Sequence, residues 1–180
     1  MGASGWLVIT PVQDSLAQGL QMAKREVFTS GQFQDSFGIV ANPERAIAEL
    51  YAIDLPPDLP AADREDILRS IQEEQEPRRA AINRYMTATD IDQRIEALRM
   101  ATGFEGTHSV IDIPTVEQLS PVPEIELMAR FDCAMPDLEA ARCHGPELGS
   151  LVQSRGSAVW FEVQNDCEAR FWVIVGVSGD

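Results

Sequence analysis

Basic side chains are scarce in this sequence. Of 180 residues only 14 are Lys or Arg, against 29 Asp or Glu, and Lys24 is the sole lysine. The formal net charge is −15. The deficit is uneven. Residues 1–99 carry 16 acidic and 10 basic side chains, whereas residues 100–180 carry 13 and 4. From Met100 to Ala129 there is no basic residue at all, while Glu105, Asp112, Glu117, Glu124 and Glu126 lie there. A chain so poor in cations is badly suited to neutralising a phosphate backbone, which argues against nucleic-acid binding. An acidic surface favours solubility and suits a basic protein partner.

Other shortages narrow the field further. The three cysteines (Cys133, Cys143, Cys167) are odd in number and lack a CxxC spacing, so neither a disulfide framework nor a structural zinc is expected. With only two histidines, no metal site is predicted. No apolar run reaches 18 residues, so no helix is expected to span a membrane. The N-terminus MGASGWLVITPVQD has no charged leader region and too short an apolar stretch for a signal peptide. A myristoylation signal wants Ser or Thr at position 6, where Trp6 stands. The expected address is the cytoplasm. No phosphate-cradling GxxxxGK[ST], no G-x-G-x-x-G, no Asp-rich calcium loop and no Gly-x-Ser-x-Gly elbow occurs, and no cofactor is called for.

What the chain does contain is a C-terminal hairpin signature. SAVWFEVQ and EARFWVIVGV are β-branched and aromatic, and the polar turn Asn165-Asp166-Cys167 separates them. Five apolar residues in succession, Phe171 to Val175, predict a strand covered on both faces in mid-sheet. Upstream, Trp6 to Thr10 reads as a strand ended by Pro11, and Asp14 or Ser15 can cap a helix that stops near Gly31. Asn42-Pro43-Glu44 is a clean helix start. Another helix begins near Asp63, and Pro77 divides it from a segment running to Met86. Thr89-Asp90-Ile91-Asp92 opens one more, closed by Gly103. Gly106 to Ile113 reads as a strand closed by Pro114. Helices from Ser120-Pro121, Pro136-Asp137 and Gly145-Pro146 precede the hairpin. The predicted fold is a single α+β domain over 1–180. Its mainly antiparallel four-stranded sheet has strands near 6–10, 108–113, 157–164 and 169–177. Six or seven helices cover it, and residues 35–88 form a helical insertion.

Several of these pieces resemble, in combination, a family of small bacterial proteins of unassigned activity, mainly from actinobacteria and other GC-rich genomes. They are Trp6 with Thr10-Pro11-x-Gln13, Val27-Phe28 with Gly31, Gly106-Thr-His-Ser-Val-Ile-Asp112, and Gly176-x-Ser-Gly-Asp180. Together they cover roughly a third of the chain, both ends and one strand. The resemblance implies a shared scaffold and supplies no activity.

Candidate working residues are few. His108 and Asp112 share one face of the predicted strand about 13 Å apart, too far to pair directly. Each also reads as a local hydrogen-bonding residue. Cys143 beside His144 reads as a buried inert thiol, since adjacent side chains seldom reach catalytic geometry. Cys167, flanked by Asp166 and Glu168, is in a setting that opposes thiolate chemistry. Gln13, Ser178 and Asp180 are candidate binding residues, with the terminal carboxylates able to hold a basic group or an internal arginine. Two functions follow. One is an acidic protein-binding domain of immunity, inhibitor or accessory type. The other is a small hydrolase or transferase built on His108 and Asp112 with Gln13 or Ser178 nearby.

Overall fold

The computed structural model describes residues 4–154 and 156–178. Strand β1 (Ser4–Pro11) leads into helix α1 (Leu16–Ser30). Ser15 caps α1 by accepting from the Gln18 amide, and Gly31 ends it in the left-handed region at φ 70°. Helices α2 (Pro43–Leu50), α3 (Ala61–Thr87) and α4 (Ile91–Thr102) follow. A short 3-10 turn, Val110–Asp112, precedes β2 (Leu119–Pro121), then come α5 (Glu124–Phe131) and α6 (Leu138–His144). A 3-10 stretch, Gly145–Leu151, leads to the hairpin of β3 (Ala158–Gln164) and β4 (Arg170–Ser178). The fold is α+β, with one four-stranded sheet in the order β1-β4-β3-β2. Of its three strand pairs, β2–β3 is parallel and the other two are antiparallel.

β4 is central, as its apolar run predicts. Its alternate side chains enter two layers. Val173 and Val175 join Phe161, Leu127, Ala141 and Leu148 in the core under α5, α6 and the Gly145–Leu151 stretch. Trp172 faces the other way, against Gly19 of α1, with Trp160 edge-on beside it at 6.4 Å. The hairpin turn is organised by Asn165, whose Oδ1 accepts from the amides of Cys167 and Ala169 at 3.0 and 2.9 Å.

Residues 106–113 are not a strand. Ser109 adopts extended backbone and its Oγ accepts from the Ile111 amide, which starts a 3-10 turn in place of a ladder. The fourth strand is instead the three-residue β2, in a stretch whose Ser120-Pro121 reads from sequence as a helix start. Pro77 does not divide α3 either. Pro77 and Glu73, whose carbonyl loses its partner there, are both exposed, so water can satisfy that carbonyl.

The chain partitions into two compact units, residues 1–34 with 106–180, and residues 35–105. The second is more extensive than the predicted 35–88, because α4 packs along α3 and belongs with it. Ile82, Leu98 and Ile39 are fully buried in it. Among the described residues no helix is long and apolar enough to cross a membrane.

Candidate functional site

The segment Gly106 to Asp112 folds into a knot of local hydrogen bonds. The Thr107 amide and hydroxyl both donate to Asp112 Oδ1, at 2.6 and 2.9 Å. With its one proton committed to the carboxylate, Thr107 Oγ1 accepts from Ser109 Oγ at 2.8 Å. Ser109 Oγ in turn accepts from the Ile111 amide. Thr107 and Ser109 are buried, and Asp112 is half-buried. The Thr107 carbonyl accepts from the Gln34 amide at 2.8 Å, tying the knot to the end of the α1 connection. Lys24, buried on α1, donates to the Pro114 carbonyl at 3.3 Å and holds the segment against that helix.

His108 stands at the crown of this knot, half-buried, with a left-handed backbone at φ 52°. Asp112 is therefore already engaged by local donors, the bland reading of a loop acid. The two side chains do not lie along one strand face, because there is no strand. Gln13 donates to the Pro11 carbonyl at 3.2 Å, just past one end of β1. Ser178 pairs with Ser4 at the other end of β1. Seven steps of about 3.3 Å put those ends roughly 23 Å apart, so Gln13 and Ser178 cannot share a site. Asp180 lies outside the described residues.

The remaining candidates also separate. Cys143 is exposed rather than buried, and His144 Nδ1 lies 3.3 Å from Glu147 Oε1. Glu147 is paired in addition with Arg130. Cys167 is exposed in the hairpin turn. Among the described residues no three His, Cys, Asp or Glu side chains converge as a metal site. None of the described cavities is lined by His108, Asp112, Gln13 or Ser178. The α3–α4 groove, about 520 Å³, is bordered by Arg84, Asp92, Glu96 and Met100, and a polar hollow beside Cys143 and Asp166 measures about 640 Å³. Comparison with protein-family models, curated proteins and solved structures finds no match to this chain.

One feature that sequence reasoning missed lies on α5. Its buried side is Leu127, with Phe131 half-buried a turn later. Its outer side presents Ile125, 75 % exposed, and Met128, 44 % exposed, with Met135 equally open on the following loop. The spacing of Ile125 and Met128 is one helical turn, so they form one surface, and Glu124 and Asp132 are exposed around it. Ile125 and Met128 read from sequence as core positions of a helix starting at Ser120. In the structure Leu127 is the buried side chain of α5, and Ile125 and Met128 lie on its exposed side.

Proposed function

We propose that the chain is a non-enzymatic, cytoplasmic protein-binding domain of bacterial immunity, inhibitor or accessory type, with a basic partner. The observation that supports this reading is where the charge sits. Six arginines are paired with acids in place, namely Arg45–Glu49, Arg69–Asp66, Arg79–Glu76, Arg99–Glu96, Arg130–Glu147 and Arg170–Glu162. The only lysine is buried. With 29 acids against 14 basic residues, a large negative excess remains to steer a cationic surface. On α5 that field surrounds the exposed Ile125 and Met128. An apolar patch rimmed by acids suits an apolar anchor ringed by Lys or Arg.

The test is capture by the immobilised chain from a lysate of its own organism, at low and high salt, beside the variants Ile125→Asp and Glu124→Lys. Retention that salt weakens and that both variants reduce is the expected outcome. No retention at low salt, or equal retention by both variants, would count against the reading.

A hydrolase or transferase centred on His108 and Asp112 is the alternative. Its support is the left-handed backbone of His108, a non-glycine residue in a conformation that clusters at working sites. His108→Gly separates the two. A backbone role predicts a variant as stable as the parent or more so. A catalytic role predicts that any hydrolytic activity found in a substrate screen disappears.

A further inference from the structure

We infer that β1 is a self-association edge, and that two copies of the chain pair their β1 strands antiparallel about a two-fold axis at Leu7. The sheet order leaves β1 and β2 as the edges. β2 is guarded, being three residues long and ending in Pro121. β1 is eight residues long and keeps an unbroken one-to-one register with β4, so no bulge interrupts it. It has no charged side chain and no proline before Pro11. Those are the devices that keep edges apart; β1 has one of them, Pro11, at its last position only, and the seven residues before it have none.

The backbone fixes which groups face outward. In an antiparallel pair, hydrogen-bonded and non-hydrogen-bonded residue pairs alternate. Val12 donates to the Arg170 carbonyl at 3.1 Å, continuing the register in which Thr10 faces Trp172 and Val8 faces Ile174. The even-numbered residues therefore bond to β4, and the N–H and C=O groups of Gly5, Leu7 and Ile9 point away from it. None of those three amides donates in the backbone bonds described outside the helices and strands. This pattern is self-complementary. With Leu7 on the axis, Leu7 faces Leu7 of the second copy, and Gly5 and Ile9 face each other's counterparts. All three are hydrogen-bonding pairs, each exchanging two N–H···O bonds. The same register sets Trp6 opposite Val8 on one face, so the sheet faces continue across the joint.

Charge selects the occupant. Each copy carries −15, so two copies repel at long range and can meet closely only through a neutral segment. Residues 4–13 are such a segment, the first acid being Asp14. A basic strand would find no opposite charge on β1 to recognise. The association is thus strengthened by salt, the reverse of binding a basic partner.

The experiment is sedimentation of the whole chain over a concentration series at low and high salt, with hydrogen exchange of the β1 amides. The expected species has twice the 19.8 kDa chain mass, gains population with salt, and slows exchange at Leu7 and Ile9 as concentration rises. Gly5→Pro removes an outward donor, and a β-carbon at Gly5 meets nothing nearer than 3.8 Å. It should weaken self-association about tenfold or more, given roughly 1 kcal/mol for each of the two symmetry-related bonds lost. Gly5→Glu, which adds like charges near the joint, should do the same should the proline variant fail to fold. A chain that stays monomeric at every concentration and salt overturns the proposal. So does a dimer that survives both variants, that weakens with salt, or that leaves the Leu7 and Ile9 amides unprotected.

Discussion

Gly19 and Gly176 show how a residue's local role can reverse its usual energetics. Exchanging a helix-interior glycine for alanine ordinarily stabilises by about 1 kcal/mol. A β-carbon on Gly19, however, would run into the six-membered ring of Trp172, which is buried and has nowhere to go. Gly19→Ala is therefore predicted to destabilise by about 1–3 kcal/mol, read from chemical denaturation. At Gly176 the added carbon would meet the Trp6 ring, but Trp6 is half-exposed at an edge strand and can swing outward. The Gly176→Ala cost should be smaller, and a larger one would refute this account of the two rings. At Asp112 the carboxylate accepts from both donors of the buried Thr107, so Asp112→Ala leaves the Thr107 amide orphaned, while the hydroxyl keeps only Ser109 Oγ as a partner. Hydrogen bonds to charged groups contribute about 1.5–3 kcal/mol, and a loss in that range is expected from the same measurement. That Asp112 bonds local amides was legible from its type and its place near a proline. The Thr107–Ser109–Ile111 relay was not, because alternation in Ser-Val-Ile-Asp-Ile fits a strand equally well until a serine is seen capping a turn.

Helices and strands were legible where tertiary packing agreed with local signals. Ser15, Asn42 and Asp137 each cap the helix that sequence assigns near them, because a side-chain oxygen two or three residues before an amide needs no distant partner. β4 was legible because five apolar residues in a row have few other uses. The three-residue β2 was not, since two ladder neighbours and one proline leave no periodic signal. α3 shows the opposite failure, as a proline normally read as a break sits on a solvated face and the helix continues. In that helix Tyr85 is buried, and this burial, opposed by the Arg94 guanidinium and helped by Asp35, raises its hydroxyl pKa above the ordinary value. The unfolded tyrosine loses its proton near pH 10, before the folded one does. Below that pH both states are protonated and the contribution is full. Above it the unfolded state is favoured, so stability falls as pH rises. Denaturation midpoints between about pH 8 and 11 should drop steeply in the parent and less in Tyr85→Phe.

At the scale of the whole molecule the connection between the two compact units makes the clearest prediction. Residues 35–105 leave and re-enter the sheet-bearing unit at one place, because the Gln34 amide bonds to the Thr107 carbonyl at 2.8 Å. A segment with adjacent ends can be excised and the gap closed by a short turn at little entropic cost. The sheet-bearing unit has its own two-layered packing, with Val173 and Val175 on one side and Trp172 under α1 on the other. It also holds Trp6, Trp160 and Trp172, which are all the tryptophans of the chain. A chain in which a few glycines and serines replace 35–105 is therefore predicted to fold, keeping the near-ultraviolet dichroism of its tryptophans and a cooperative melt. In that shortened chain Trp172→Ala should still cost about 3–5 kcal/mol, as expected for a large core aromatic. A shortened chain that melts without cooperativity and has lost its tryptophan dichroism would mean that the sheet needs the helical unit in order to fold. Retained dichroism with a negligible Trp172→Ala effect would mean that the packing of α1 on the sheet depends on residues 35–105, although the ends of that segment meet.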